Sequence, residues 1–327
     1  MLPFGYAQAR DIGHAIQLLG RAPHAMPIAG GTDVLRLLRE GVIEPAELID
    51  LNALPLAGIE PEGEGLRVGA LARLSDVADH ARVRTEFPAL ARALADTASP
   101  QVRNMASVAG NLLQRTRCLY FRDATAPCNK RELGSGCPAL DGRNRMNAIL
   151  GGSAQCIAAY PGDMANALLV LDAELTVRGP EGERRLKLEE LHREPGDAPH
   201  IETTLRAGEI ITAIHLPASA HARNSHYVKV RDRASFEWAL AAAAAAVEVA
   251  DGAVRTARVA VGGVATKPWR LPEVERRLVG RRLDEAAALT AAEAAAHGAD
   301  PRPGLAFKAT LLRRAVERVL LTAGGLA

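Results

Sequence analysis

The sequence predicts an α+β protein in which a small βαβ subdomain and a mixed or antiparallel sheet are followed by a smaller α+β C-terminal domain. Three observations support this prediction. The 327 residues exceed what one hydrophobic core usually serves. Strand and helix patterns alternate regularly only over residues 26–51. Asp251 and Gly252 lie between two stretches of alternating valines, which is typical of an antiparallel hairpin.

The first elements predict the βαβ unit. Apolar residues at helical spacing indicate a short helix over residues 11–19, which Gly20 and Pro23 end. A strand pattern follows at 26–29, then a helix, and then a second strand in the AELIDL sequence at 46–51. Strand, helix and strand within about thirty residues imply a parallel pairing of the two strands.

The turn inside this unit, PIAGGTDV at 27–34, has two glycines between the strand and the helix. We expect Thr32 to be the N-cap and Gly41 to end the helix. The helical residues expected to face the core are Val34, Leu35, Leu37 and Leu38. Free amides and the dipole at a helix start suit a phosphate anion. The stretch matches neither G-x-G-x-x-G nor a Walker A sequence, so an ordinary turn stays open as the alternative.

Later elements alternate less regularly, which favours a mixed sheet over a doubly wound one. The pattern predicts helices at 74–81, 88–95, 284–300 and 304–324, a helix running into a strand over 163–179, and a strand at 208–217. The alanines at 241–246 are ambiguous, because alanine favours helix whereas the following Asp-Gly pair favours a hairpin. A domain boundary is expected near 215–225.

Composition excludes several classes of protein. A net charge of +2 from 40 basic and 38 acidic residues creates no long-range field for nucleic acid or a membrane surface. The chain has no long uncharged apolar run, and its first residues lack the pattern of a signal peptide. We therefore expect assembly in the cytoplasm, with the periplasm reached only if a partner chain carries the export signal.

All four cysteines, Cys118, Cys128, Cys137 and Cys156, lie in one segment. Structural zinc usually needs closely spaced cysteine pairs, which this segment lacks, and disulfides mainly serve small secreted domains. Core cysteines would lie in apolar stretches, whereas Cys128 and Cys137 lie in APCNKR and GSGCPA. An iron-sulfur cluster takes four thiolates at irregular intervals and is the favoured interpretation, with zinc, disulfides and core cysteines left as alternatives.

The charges of this segment agree with a cluster. Seven basic and three acidic residues lie between Arg115 and Cys156, an excess of four positive charges. Guanidinium groups and backbone amides near an anionic cluster would stabilise it. Gly134 and Gly136 could let such amides approach sulfur. The alternatives are a solvated face or a partner-binding patch for the arginines and ordinary turns for the glycines.

Four motifs in order resemble the FAD-binding medium subunits of the xanthine dehydrogenase and carbon monoxide dehydrogenase family. They are AGGTD at 29–33, SPQVRN at 99–104 with GN at 110–111, PGD at 161–163, and GGVATKPWR at 262–270. The resemblance covers nearly the whole chain. It implies a PCMH-type FAD-binding domain over 1–218 and a CO dehydrogenase flavoprotein C-terminal domain over 222–327.

The cysteine segment is similar to an insertion in the aldehyde-oxidising branch of this family. That resemblance implies a 4Fe-4S cluster in an insertion at about 114–158, with the four cysteines as its ligands. By the same resemblance the residues that bind FAD are Pro27, Ile28, Ala29, Gly30, Gly31, Thr32, Asp33, Val34, Ser107, Gly110, Asn111, Leu113, Asp163, Ile211 and Lys229.

Individual roles follow from the same resemblance. The amides of residues 29–32 would bind the FAD diphosphate, and Asp163 would bind the adenosine end. An N-cap for the following helix is an equal alternative for Asp163, and an exposed strand position is one for Lys229. The chain departs from the family pattern at Ala109, where a glycine is usual, and at Tyr160, where histidine is frequent.

The resemblance implies an electron-transfer subunit of a heterotrimeric molybdenum-containing aldehyde oxidoreductase. A large partner would hold the molybdenum cofactor, a small partner would hold two 2Fe-2S clusters, and an external acceptor would take the electrons. Because the cofactors carry the chemistry, we expect no catalytic residue in this chain. The alternatives are the flavin subunit of a thioester-dehydroxylating reductase, similar to hydroxybenzoyl-CoA reductase, and a zinc-braced scaffold protein without enzymatic function.

Overall fold

The structure is a computed structural model and describes residues 2–22 and 24–326, so Pro23 lies outside the described residues. The predicted βαβ unit is confirmed. Its elements are β1 (Gly5–Gln8), α1 (Ile12–Arg21), β2 (Met26–Ile28), α2 (Val34–Arg39) and β3 (Glu47–Asp50). Its three strands pair in parallel in the order β1-β3-β2.

The two helices of this unit differ from the prediction in detail. Helix α1 runs through the expected stop at Gly20 to Arg21. In α2, Asp33 rather than Thr32 occupies the N-cap position, and its side chain makes no capping bond. Leu37 and Leu38 are buried as expected, but Leu35 is 47% exposed because a helix of six residues turns only one face to the core.

The second sheet is entirely antiparallel, with the strand order β4-β5-β8-β6-β7. Its strands are β4 (Ile59–Glu62), β5 (Gly65–Gly69), β6 (Glu174–Gly179), β7 (Gly182–Lys187) and β8 (Ile210–Leu216). Between β5 and β6 lie the helices α3 (Leu74–Asp79), α4 (Ala81–Glu86), α5 (Pro88–Ala95), α6 (Pro100–Arg103), α7 (Val108–Leu112), α8 (Leu119–Arg122) and α9 (Met164–Val170), with a 3-10 turn at Pro138–Leu140. A further 3-10 turn, Leu188–Glu190, follows β7.

The C-terminal part contains a four-stranded antiparallel sheet in the order β12-β11-β10-β9. Its elements are α10 (Ala220–Arg223), β9 (Ser225–Val230), β10 (Ala241–Ala250), β11 (Ala253–Gly262), β12 (Trp269–Arg270), α11 (Pro272–Leu278), α12 (Glu285–Ala292), a 3-10 turn at Glu293–Ala296, and α13 (Ala306–Ala323). The predicted hairpin is confirmed, since Asp251 and Gly252 have φ values of 54° and 78°, as a type I′ turn requires.

The ambiguous alanines form strand β10 because both of its faces are buried. Ala242, Ala244 and Ala246 pack into the core shared with the second sheet. Alternate residues of the strand, from Ala241 to Val247, pack into a second core together with α13. Small side chains allow both layers to approach, and this packing outweighs the helix propensity of alanine.

The second core also contains three of the cysteines. Cys118, Cys128 and Cys156 share this cluster with Leu312 and Val316 of α13. The cysteine segment therefore packs against the C-terminal part of the chain. In the part of the chain that the structure describes, no helix has both the length and the apolar character that a bilayer crossing needs.

Replacement of Ala244 by leucine tests the two-sided packing of β10. Overpacking a closed core typically lowers the free energy of unfolding by about 1–3 kcal/mol, and we expect a loss of this size for Ala244→Leu in urea denaturation. Val249 lies on the same strand but is 45% exposed. The control Val249→Leu should stay within about 0.5 kcal/mol of the parent. Equal effects of the two variants would contradict burial on both faces.

Candidate cofactor site

The glycine turn after β2 lies directly against the stretch that precedes α7. A Cβ atom on Gly30 would lie 1.8 Å from the carbonyl oxygen of Met105 and 2.6 Å from its carbon, so only glycine fits there. Gly31 has φ of 70°, a conformation that favours glycine. The two polar stretches that the sequence analysis treated separately therefore meet in the structure.

Side chains from neighbouring loops hold the two stretches together. Asn52 donates from Nδ2 to the carbonyl of Ala29 at 3.0 Å. Arg73 donates to the Met105 carbonyl at 2.6 Å and to Asn52 Oδ1 at 3.0 Å. Among the described residues, the amides of Gly30, Gly31 and Thr32 have no hydrogen-bond acceptor. The turn therefore presents free backbone donors on a braced loop, which suits an anionic group.

The GN motif lies on α7, next to this turn. Ser107 is buried and caps the helix by accepting a hydrogen bond from the Gly110 amide at 3.3 Å. Asn111 is also buried, and its Oδ1 has no hydrogen-bond partner in the described structure. A buried unpaired amide oxygen is costly, which makes Asn111 a good candidate for a ligand contact. Ala109 adopts ordinary helical geometry here and donates to the Ala70 carbonyl at 3.1 Å, so this position tolerates a side chain.

Asp33 joins the turn to the cysteine segment. Its carboxylate accepts hydrogen bonds from the Arg115 amide at 2.8 Å, from Arg122 Nη2 at 2.9 Å, and from Arg117 Nη1. Burial lowers the pKa of Arg117, and the neighbouring Asp33 charge opposes that shift. The Asp33 side chain thus faces the cysteine segment, a role that the sequence did not indicate.

Asp163 and Lys229 form a buried ion pair. The Asp163 carboxylate accepts from Lys229 Nζ at 2.7 Å, from the Tyr227 hydroxyl at 2.5 Å, and from Thr97 Oγ1 at 3.2 Å. Asp163 occupies the N-cap position of α9 as the alternative expected, but its carboxylate makes no bond to the α9 amides. An exposed position for Lys229 is wrong, since its side chain is 1% exposed. Burial raises the pKa of Tyr227, and Asp163 adds to the effect.

The last two residues predicted to bind FAD lie on β8 and at the end of α7. Ile211 is buried on β8, where it pairs with Val177 in the core of the second sheet. Leu113 is the C-cap residue of α7 and is partly buried. Leu113 lines a cavity, whereas Ile211 is a core residue in this structure.

This cavity, which we call the α7 cavity, has a volume of about 40 Å³. Its lining residues are Leu112, Leu113, Gln114, Thr116, Lys130, Ala158, Ala159, Tyr160, His192, Arg193, Glu202, Thr203 and Thr266. Tyr160 donates to the Leu112 carbonyl at 3.0 Å, and its ring packs edge-on against His192 with centroids 4.6 Å apart. His192 could not be recognised from the sequence, because neither its spacing nor its neighbours form a motif.

His192 is neutral in this environment. Its Nε2 lies 2.9 Å from the Leu112 carbonyl, so that nitrogen carries the hydrogen. Burial lowers the pKa of His192 to about 4. Its Nδ1 is buried without a partner in the described structure and is therefore a free acceptor.

The four cysteines line a second cavity of about 10 Å³, which we call the cysteine cavity. All four are free, so the disulfide alternative is not supported. Cys118 accepts a hydrogen bond from Asn147 Nδ2 at 3.5 Å, and Cys156 accepts one from the Ala158 amide at 3.4 Å. Burial raises the pKa of Cys118, while a hydrogen bond shared with Cys156 lowers the pKa of Cys137. Across residues 2–22 and 24–326, no three His, Cys, Asp or Glu side chains converge as they would on a single metal ion.

The excess positive charge of the cysteine segment is largely neutralised by acids from elsewhere. Arg115 and Lys130 pair with Glu202, and Arg145 pairs with Asp232. Together with the pairs to Asp33, these contacts place most of the bases on carboxylates. Arg131 instead donates to the carbonyls of Tyr120, Phe121 and Ala126, and Lys130 lines the cysteine cavity.

The two loop glycines also differ from the expectation. The amides of Gly134 and Gly136 donate to Asn129 Oδ1 at 3.1 and 2.8 Å, so they bind this side chain rather than sulfur. Their φ values of 91° and 106° explain the need for glycine. They shape the loop that carries Cys128 and Cys137.

The fold and the site are those of a flavin-binding subunit, and comparison with families of known proteins supports this class. The family described as "FAD binding domain in molybdopterin dehydrogenase" matches residues 2–219, and "CO dehydrogenase flavoprotein C-terminal domain" matches residues 226–323. The chain belongs to the FAD-binding medium subunits of the molybdenum hydroxylase family, and it is an oxidoreductase subunit.

Individual relatives show which members of the family this chain is similar to. The chain is 47% identical over 280 residues to the aldehyde oxidoreductase FAD-binding subunit PaoB of Escherichia coli K12, covering 85% of this chain and 86% of that protein. It is 26% identical to the carbon monoxide dehydrogenase medium chain of Hydrogenophaga pseudoflava, over 98% and 97% of the two chains. A solved structure of carbon monoxide dehydrogenase from that organism matches all of both chains with a TM-score of 0.78 at 25% identity.

Replacement of Asp33 by asparagine tests its link between the turn and the cysteine segment. The change leaves Arg117 and Arg122 without their shared carboxylate, and breaking a buried pair costs about 3 kcal/mol or more in free energy of unfolding. Asp232→Asn is the matched control, because the Arg145–Asp232 pair is 56% and 54% exposed and should contribute at most about 0.5 kcal/mol. Urea denaturation of both variants measures the difference, and a loss at Asp33 no larger than at Asp232 would refute the role.

His192 predicts a pH dependence of stability. Its pKa is about 4 in the folded chain, against an ordinary value of 6.5, so the unfolded chain binds more protons between these values. The contribution of His192 to the free energy of unfolding is fully present above pH 6.5 and is lost as the pH falls to about 4. The total loss is about 3 kcal/mol. We expect His192→Gln to flatten the stability curve over this range in denaturation at several pH values. An unchanged slope would show that His192 is not buried as a neutral group.

Proposed function

We propose that this chain is the electron-transfer subunit, with FAD and a 4Fe-4S cluster, of a heterotrimeric molybdenum-containing aldehyde oxidoreductase. The observation that carries the proposal is the shared wall between the two cavities, since Lys130 and Ala158 line both of them. A cluster among the cysteines and an FAD site that adjoins the α7 cavity would therefore be neighbours. The relative named as an aldehyde oxidoreductase subunit supports the choice of reaction.

The residues around the glycine turn fit FAD. The free amides of Gly30, Gly31 and Thr32 would hold the diphosphate. Ser107, Gly110 and Asn111 would continue the site along α7, as the unpaired Asn111 oxygen suggests. The whole set that the family resemblance indicates, Pro27–Val34, Ser107, Gly110, Asn111, Leu113, Asp163, Ile211 and Lys229, remains part of this proposal.

Two members of that set act indirectly in our proposal. The Asp163 carboxylate already accepts three hydrogen bonds, and Lys229 also donates to the Asp96 carbonyl at 3.1 Å. The pair fixes β9 against the α5 end and the start of α9, and so supports the walls of the FAD site. The α7 cavity begins at Leu112, one residue after Asn111, and so adjoins this end of the proposed FAD site.

The cluster of our proposal would lie in the cysteine cavity, because the four thiols surround one space there. A four-iron cluster separates its ligands, so it needs a cavity between the sulfurs. Cys118, Cys128, Cys137 and Cys156 would each bind one iron. When bound, the cluster would supply single-electron transfer, and FAD would supply exchange with an external acceptor.

The partners follow from the same proposal. A large subunit would hold the molybdenum cofactor and oxidise the aldehyde, and a small subunit would carry two 2Fe-2S clusters. Residues 1–218 would be the FAD-binding domain, with the insertion at about 114–158, and residues 222–327 the C-terminal domain. Assembly would take place in the cytoplasm, with export possible on a partner's signal.

Cofactor analysis of the anaerobically purified chain tests this proposal. We expect flavin absorption bands over a broad cluster shoulder, with about four irons and four acid-labile sulfides per chain. A colourless protein that holds zinc would overturn both assignments. Flavin without iron would retain the family but remove the cluster. In the complex with its partner subunits, electron flow from a reduced donor to the thioester of an aromatic acid, rather than from an aldehyde, would favour the reductase alternative.

Two variants on the same sample separate the sites. Cys128→Ser should lose iron and keep most of the flavin, because Cys128 lines only the cysteine cavity. Gly31→Val should lose flavin and keep iron, because valine is strained at φ of 70° and displaces the turn. Loss of both cofactors in both variants would contradict separate sites.

A further inference from the structure

Lys308 is a buried cation without a carboxylate partner. It lies on α13, its exposed fraction is 0%, and its Nζ donates to the carbonyls of Asn147 and Gly263, both at 2.7 Å. In the described structure the hydrogen bonds of its Nζ go to these two carbonyls and not to a carboxylate. Burial lowers the pKa of Lys308 to about 7, and nearby Arg145 adds to the effect. A buried ammonium group is costly unless some anion compensates it.

Asn147 connects Lys308 to the cysteine cavity. Its carbonyl oxygen accepts the Lys308 bond, while its side-chain Nδ2 donates to Cys118 Sγ at 3.5 Å. Asn147 is itself buried, and its amide donates to the Asn144 carbonyl at 2.6 Å. One residue therefore bridges a buried cation and a proposed iron ligand. Arg131 also has no carboxylate partner among the described residues and donates to the carbonyls of Tyr120, Phe121 and Ala126. Lys308 differs from it because its side chain is fully buried and is linked through Asn147 to Cys118.

We propose that Lys308, acting through Asn147, is the buried counter-charge of an anionic iron-sulfur group at Cys118 and raises its reduction potential. This inference rests on the proposed function. A cluster with four thiolates is anionic, and the gain of one electron adds one negative charge to it. A nearby cation and an N–H···S hydrogen bond both favour the reduced form. Lys308 and Asn147 thus act on the cluster without binding iron. Lys308 belongs to the C-terminal helix α13.

The test is a redox titration of the full chain, purified anaerobically with both cofactors, in which electron paramagnetic resonance follows the cluster and absorption follows the flavin. Lys308→Met keeps the volume and removes the charge. We expect it to weaken one-electron reduction of the cluster about tenfold, a shift of about 59 mV to lower potential, with the flavin potential unchanged. Lys308→Arg retains the charge and should restore most of the potential.

Asn147→Ala keeps the carbonyl that accepts from Lys308 but removes the donor to Cys118, so it should also lower the cluster potential. It provides the test if Lys308→Met does not fold. Lys187→Met removes a lysine charge at an exposed position and should leave both potentials unchanged. A cluster potential equal to the parent's in Asn147→Ala, or in a folded Lys308→Met with full iron, would overturn the inference. A parent chain without iron would instead overturn the proposed function.

Discussion

The ion pairs of Asp33 are the constraint on which the cofactor region depends. One carboxylate, at the end of the glycine turn, binds the Arg115 amide and the guanidinium groups of Arg117 and Arg122. The close contact of Gly30 with Met105 brings the turn to α7, and Asp33 brings the cysteine segment to the turn. The loop for an anionic cofactor and the loop with the thiols are therefore parts of one framework.

Local features of this framework could be predicted from the sequence. The parallel βαβ unit and the Asp251–Gly252 hairpin follow from patterns within a few residues, and the clustering of the cysteines indicated one site. Partners distant in sequence could not be predicted. Asp33 lies 84 positions from Arg117, and Asp163 lies 66 from Lys229. The excess of positive charge counted in the cysteine segment was also not a guide to its local charge, because most of its bases pair with acids from other parts of the chain.

Burial explains the remaining differences between pattern and structure. The alanines of β10 favour helix by intrinsic propensity, but a strand closed on both faces needs small residues. His192 and Lys308 have no motif around them, yet burial makes one neutral and leaves the other without a compensating carboxylate. Such residues become candidates for function only when their surroundings are known, because an unpaired polar atom cannot be recognised from the sequence.

The sharing of hydrophobic cores has a consequence for how this family can diversify. The two family models divide the chain near residues 219 and 226, but Cys118 and Cys156 pack with α13, and Tyr227 packs with the second sheet. A chimaera that joined this N-terminal module to the C-terminal module of another relative would leave the cysteine segment without its complementary surface. The thiol-bearing insertion and the last helix should therefore be inherited and exchanged together, as one evolutionary unit.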